Sequence, residues 1–427
     1  MLPRTLFPIF AIVSLAGTVL AASGDSTGAS SGVAAEPAPA VSPTTPEALV
    51  AVERLNRFAA GAAAAKQAQL IFVYFTPADR DPPADRRVRL GRMMRDMQGF
   101  YGDEMARHGL GPRNVAFELD ADQALRVHEV RGEHSREYYL GRDPAKGHEI
   151  RLASRPVLQA AGIDDERETV IYFCHLRDER DGRVTGIGPY YGTGARSGPF
   201  RCGHCWFTDA SILDPERLTD RTTMLDDEEY GHISVGRYNT IFIGGAAHEL
   251  GHGLGLPHTR ERPDEAARGV SLMGGGNQTY RQELRGHKHG SFLPLADALR
   301  LASHPIFSGV DRDLDMAPRC RLEDLRVESG AGELRVAGRL AAEPEPYAII
   351  GYYDPAGHSD YDATSWTAPL DASNGFSLRI SELQPGDAEL RLVALHVNGA
   401  TSVFRSPLKI DEDRTPDAAG VQFSQKP

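Results

Sequence analysis

The densest group of reactive side chains in the sequence is His248-Glu249-Leu250-Gly251-His252-Gly253-Leu254-Gly255-Leu256-Pro257-His258. On a helix, residues four apart share a face about one turn apart. His248 and His252 can therefore aim their imidazoles at one cation. Zinc accepts such nitrogens at ~2.0–2.1 Å in a tetrahedral shell. Glu249 can reach a water on that ion without binding the ion itself. A straight helix would carry position 258 roughly 15 Å along the axis from His248. Glycine at 255 can take a positive φ at low cost and reverse the chain, which returns His258 as a third ligand. Three protein ligands and an open fourth position make a catalytic arrangement rather than a structural one. The chemistry it suits is metal-assisted hydrolysis, with Glu249 as general base and then general acid. The rival reading of the same residues is a catalytically inactive zinc-containing binding protein.

The segment fits H-E-x-x-H-x-x-G-x-x-H at every fixed position, and in this it resembles the metzincin clan of zinc metallopeptidases. That clan carries a methionine-containing turn beneath the metal, and Ser271-Leu272-Met273-Gly274 fits the role. The resemblance implies a zinc-dependent endopeptidase acting on a protein or peptide substrate. It also implies that Met273 forms an apolar floor to the site without ligating. The motif match covers about 244–273, and a looser match of layout covers 69–307. Thr259 follows the third histidine and picks out none of the familiar families. Astacin-like members carry a tyrosine two positions after the methionine; here that position is Gly275, and the nearest tyrosine is Tyr280. No cysteine precedes Cys174, so a cysteine-switch latency has no candidate. Structural Ca2+ is common in the clan. Asp311, Asp313 and Asp315 alternate like the start of a calcium loop, but Met316 and Leu322 occupy the positions that need Gly and Glu. An interdomain linker is the reading of that stretch.

The four cysteines are Cys174, Cys202, Cys205 and Cys320. An even number in an exported chain favours disulfides, with three connectivities open. A bridge from Cys174 to Cys202 or Cys205, with Cys320 taking the remaining partner, is one expectation. Cys202-Gly203-His204-Cys205 is also the tetrapeptide of protein disulfide isomerases, which makes a thiol–disulfide oxidoreductase the alternative function. That chemistry needs the pair at a helix N-terminus after a buried strand, whereas Ser197-Gly198-Pro199-Phe200-Arg201 precedes it here. A second zinc on Cys202, His204 and Cys205 is a further reading. His287 and His289 are expected at the surface.

These residues need a framework. The chain has 427 residues and a formal net charge of -12, which argues against nucleic acid or an anionic membrane surface as the main partner. Arg4, the apolar run 6–20 and Val19-Leu20-Ala21 read as a signal peptide at 1–21, too short for the ~20 residues of a membrane span. The expectation is a secreted, periplasmic or extracellular protein. Residues 22–66 read as a disordered linker or short pro-segment, with a short helix after Pro46. A mixed α+β metallopeptidase domain is expected at 67–316, with a twisted mixed sheet and an active-site helix. Within it we expect strands at Leu70–Phe75, Val115–Leu119 and Thr169–Cys174. Helices are expected over Arg87–His108, Tyr238–Gly255 and from Ser291 to before Pro305. Residues 186–203 read as a glycine-rich loop. A small all-β sandwich is expected at 317–412 and a disordered tail at 413–427.

Overall fold

The computed structural model describes residues 44–60, 68–194, 202–356 and 360–425. The signal segment, most of the 22–66 linker and the approach to Cys202 lie outside the described residues.

A five-stranded sheet carries the first part of the chain. It contains β1 (Ile71–Thr76), β2 (His128–Arg131), β3 (Thr169–Cys174), β4 (Tyr191–Gly194) and β5 (Gly203–Thr208), in the order β2-β1-β3-β5-β4. All pairings are parallel except that β4 runs antiparallel to β5 at the edge. Parallel strands covered on both faces read as unbroken apolar runs, as Ile71-Phe72-Val73-Tyr74-Phe75 does. Side chains alternate between faces. Phe72, Tyr74, Phe173 and Phe207 enter one apolar cluster with helix α2 (Arg86–Arg107), while Val73, Phe75, Tyr172 and Trp206 enter another with helix α3 (Pro144–Ala160). In α2, Leu90, Met93, Met97, Tyr101 and Met105 are buried, as their spacing predicts.

The strand expected at Val115–Leu119 makes only isolated bridges, Leu70 to Phe117 and Leu119 to Leu125. The second strand of the sheet forms further on, at His128–Arg131. The glycine-rich stretch is not all loop, because Tyr191–Gly194 pairs with residues 203–206 as the edge strand. Ser291–Phe292 is a short strand paired with Val270–Ser271, and the helix expected there begins later, as α5 (Leu295–Ala302) with Pro294 at its N-cap. The central helix α4 spans Val235–Gly253.

The last part of the chain forms two antiparallel sheets. One has β6 (Arg319–Gly330), β7 (Glu333–Glu343) and β10 (Gly375–Ile380). The other has β8 (Pro346–Pro355), β9 (Thr364–Ala368), β11 (Gly386–His396), β12 (Thr401–Ile410) and β13 (Ser424–Gln425), in the order β9-β8-β11-β12-β13. Leu334, Val336 and Leu378 of the first share an apolar cluster with Ile349, Leu390 and Leu392 of the second. The opposite face of the larger sheet, with Tyr347, Ile350, Tyr352, Val393 and Leu395, joins the cluster containing α2 and α4. Apolar side chains from the first and the last parts of the chain thus share one cluster. Asp315 pairs with Arg167 at 3.2 Å.

The short helix expected after Pro46 forms, and the segment expected as a disordered tail contains a short strand at Ser424–Gln425. Helix α1 (Pro46–Ala60) buries Ala48, Ala51 and Leu55, and the Arg54 guanidinium donates to Pro346 O, Asn374 Oδ1 and Asp371 O at 2.6 Å each. At the C-terminal end, Val421 packs into the two-sheet cluster, and β13 pairs with Phe404 and Arg405. Among the described residues, no helix is long and apolar enough to cross a membrane.

Candidate metal centre

Helix α4 is buried along nearly its whole length, so its position is set by neighbours on every side. The Ser234 hydroxyl caps it by accepting from Arg237 N at 3.2 Å. The Asn239 side chain accepts from Asp214 N at 2.6 Å and donates to Ile212 O at 3.1 Å. The Tyr101 hydroxyl donates to Ala247 O at 2.7 Å, directly before the first histidine. The helix ends at Gly253, and Gly255 takes φ of 86°, the reversal its position predicted. Arg300 of α5 donates to Gly255 O at 2.8 Å and holds that turn.

The reversal brings His258 back to the helix. Ligand-capable atoms of His248, His252 and His258 all lie within 4.8 Å of one another, and among the described residues this is the group that could hold a metal ion. His248 is buried and the other two are half-buried. His248 Nδ1 donates to Leu272 O at 2.7 Å, and His252 Nδ1 donates to Leu256 O at 2.9 Å. A carbonyl only accepts, so Nδ1 carries a proton, and in a neutral ring the lone pair then lies on Nε2. His252 Nε2 and His258 Nε2 are 3.0 Å apart, close to the ~3.3 Å between two nitrogens bound at ~2.05 Å to a tetrahedral ion. Burial, with His252 and His258 adding to it, drives the His248 pKa well below its ordinary value, so the ring is neutral. Metal-ligating histidines typically donate their other ring N–H to a carbonyl or carboxylate in this way, which fixes the tautomer. The donor set fits a divalent metal that prefers imidazole.

Met273 is fully buried. Its sulfur lies against Gly251, between the two helix histidines, where an added Cβ would come within 2.4 Å of it. Its own carbonyl accepts from Thr259 N at 3.2 Å, and the preceding carbonyl is the one bonded to His248. Tyr280 is buried elsewhere, with its hydroxyl donating to Asp96 Oδ2 at 2.6 Å. His287 is exposed and His289 half-buried, both outside the histidine group.

Glu249 is held by the edge of the sheet. Its Oε2 accepts from Gly192 N at 2.7 Å. Burial pushes its carboxyl up to about 8, while the Gly192 N–H and the Arg142 charge act in the other direction. Glycine is required at this contact. A Cβ at 192 would sit 1.9 Å from Glu249 O, one at 194 would sit 2.7 Å from His252 O, and one at 203 would sit 1.9 Å from Gly253 O. The glycines let two strands lie directly on the helix backbone.

Two features of the centre were not anticipated from sequence. One is the Gly192 N–H. The other is Tyr361, whose ring centroid lies 3.6 Å from that of His258 and 6.1 Å from that of His248. The spacing of Gly192, Gly194 and Gly203 was a usable sign of close backbone approach. Tyr361 gave none, since it comes from the turn between β8 and β9.

The cysteines correct the sequence reading. All four are free thiols. Cys174, Cys205 and Cys320 point into three different apolar clusters and cannot bridge one another. Cys205 lies on β5 rather than at a helix N-terminus, and its thiol donates to Glu249 O at 3.4 Å. Burial pushes the Cys205 thiol well above its ordinary value, the opposite of what redox chemistry needs. His204 and Cys205 face opposite sides of the sheet, toward Trp206 and toward α4 respectively, so a second zinc cannot use both.

No protein-family model matches the chain, and no curated protein matches it. Solved structures do. Wild-type OgpA from Akkermansia muciniphila, in the P 41 21 2 crystal form, superposes with a TM-score of 0.66 at 23% identity, over 85% of this chain and 97% of that one. A catalytically inactive OgpA in complex with an O-glycopeptide (glycodrosocin) substrate gives the same values. The P 21 21 21 form gives 0.65 at 23%, over 86% and 97%. The shared property is the mixed α+β fold with its several sheets.

Proposed function

We propose that this chain is an exported zinc-dependent endopeptidase of the metzincin type, acting on peptides that carry O-linked sugars. One observation carries the reading: three histidine ligand atoms converge within 4.8 Å, and a buried glutamate follows the first of them on the same helix. His248, His252 and His258 would hold the zinc, with Met273 as the apolar floor. Zinc bound there supplies Lewis acidity toward a scissile carbonyl and toward water. Glu249 takes a proton from the attacking water and passes it to the departing amine. The Gly192 N–H holds Oε2, which fixes the direction of the other carboxyl oxygen. Support for a glycosylated peptide comes from the fold shared with OgpA, which binds an O-glycopeptide. Support for export comes from the apolar run at 6–20. The two C-terminal sheets read as a β-sandwich closing one side of the catalytic part.

The test compares wild type with Glu249→Gln. Zinc content is measured by mass spectrometry. Cleavage is followed on an O-glycosylated peptide and on the same peptide without sugar, with and without chelator. We expect about one zinc per chain in both proteins, chelator-sensitive cleavage by wild type, and a loss of about 10²–10⁴-fold in the variant. A folded, zinc-free wild type would refute the metal reading. Equal cleavage of the two peptides would remove only the sugar requirement.

A further inference from the structure

We infer that the C-terminal sheets supply a working part of the metal centre: Tyr361 is a positioning residue that fixes the ring of His258. The inference rests on the metal reading of the histidine group. His248 and His252 gain their orientation from α4 and from Nδ1 bonds to Leu272 O and Leu256 O. His258 lies beyond the Gly255 reversal, off the helix that carries the other two. The Tyr361 ring covers it, with centroids 3.6 Å apart and planes inclined by 26°. Toward His248 the planes differ by 13° at 6.1 Å.

The turn that carries Tyr361 is tied to the ligand loop. Ala363 O accepts from Arg260 N at 2.7 Å, two residues past His258. Arg260 also approaches Asp362 at 3.8 Å. The Arg262 side chain donates to Ser365 O, and its guanidinium lies 5.7 Å from the Trp366 ring centroid. Ala363 itself is fully buried. These contacts make the third ligand and the β8–β9 turn one unit, and Tyr361 remains 41% exposed at the site. An exposed aromatic held over a ligand by a backbone tie on its own loop has a mechanical role. It confines rotation of the imidazole and keeps Nε2 directed at the ion.

The test uses the full chain, stripped of metal, as wild type, Tyr361→Phe and Tyr361→Ala. Zinc affinity is measured by competition with a chromogenic chelator. Co2+ is added separately to record the visible ligand-field bands. Thermal unfolding of the metal-free proteins is followed in parallel. Partners that orient metal ligands are worth about 10–100-fold in affinity. We expect Tyr361→Ala to bind zinc about tenfold more weakly and to show altered Co2+ bands, with metal-free unfolding unchanged. Tyr361→Phe keeps the ring and should match wild type in both. Wild-type affinity and bands in Tyr361→Ala would overturn the assignment. So would a Tyr361→Phe as weak as Tyr361→Ala, which would place the role on the hydroxyl. A wild type that binds neither metal would overturn the metal reading itself, a separable outcome.

Discussion

Replacing Gly192 by alanine probes the contact between the sheet edge and helix α4. The added Cβ would lie 1.9 Å from Glu249 O, 2.8 Å from its carbonyl carbon and 3.0 Å from the His252 Cβ. Ordinary contact begins at 3.4 Å. The two nearest atoms are backbone, so no rotamer change relieves the clash, and strand and helix must part by about 1.5 Å. That parting stretches the 2.7 Å bond from Gly192 N to Glu249 Oε2 to about 4 Å, beyond hydrogen-bond range. Overpacking costs about 1–3 kcal/mol, and a buried acceptor left without its donor about 1–3 more. Strand β4 has a neighbour on one side only and can peel away, so much of the strain falls on the position of Glu249. A shift of about 1 Å in a reacting group costs on the order of 10²-fold in rate. We therefore expect Gly192→Ala to melt several degrees lower and to lose about 10²-fold in kcat, with zinc still bound. Thermal melts, zinc analysis and peptide cleavage on one preparation test this. A variant that melts with wild type and keeps its kcat would refute the argument.

Gly91→Ala is the opposite case: its Cβ meets nothing nearer than Arg95 Nη1 at 3.6 Å within α2, so a gain of about 0.5–1 kcal/mol in urea unfolding is expected. Asp297 is fully buried, accepts from the Thr259 hydroxyl at 3.0 Å, and is pushed up to about 7 by burial. Its folded pKa exceeds the unfolded 3.8, so its stabilising contribution is complete below about pH 4 and is lost as pH rises toward 7. Asp297→Asn should flatten the pH dependence by up to about 4 kcal/mol between pH 4 and 8, and identical wild-type and variant slopes in urea titrations would contradict this. With all four cysteines free, alkylation of the unreduced, unfolded chain should add four groups, and reductant should leave the melting temperature unchanged; a count below four would show a bridge. A chain ending at Asp315 should be insoluble, because Tyr347, Ile350 and Val393 belong to the cluster that contains α4; a soluble, cooperatively melting fragment would show that the cluster is dispensable.

The centre was legible where chemistry and local geometry coincide. Three histidines at fixed spacing, a glutamate and a glycine that must turn the chain are confined to one short segment, and 3.6-residue periodicity does the rest. The sheet was legible in its apolar strands, Ile71–Thr76 and Thr169–Cys174, since burial on both faces leaves no polar interruptions. The β2 strand, His-Glu-Val-Arg, was not, because its pairing depends on β1 rather than on its own composition. Edge strand β4 was read as loop for a related reason: its glycines serve contact with α4, and they erase the β-forming residues that would mark a strand. The cysteine reading failed because even count argues for bridges only when the thiols share a neighbourhood. Residue 174 faces α3, 205 faces α4, and 320 sits between the C-terminal sheets. The Tyr361 contact joins distant parts of the chain, and no local pattern encodes it.

Arg54 has a consequence for the order in which the molecule can mature during synthesis. Helix α1 leaves the ribosome early, yet the groups that hold it, Pro346 O, Asp371 O and the Asn374 side chain, are made long after the histidine segment. The apolar side of α4 likewise waits for Tyr347 and Val393. A nascent chain that has completed its histidines still lacks the clasp for its own beginning. The closing of the first helix onto the last sheets is therefore a late event, and any cut between α1 and β1 after that point would leave the helix bound in place.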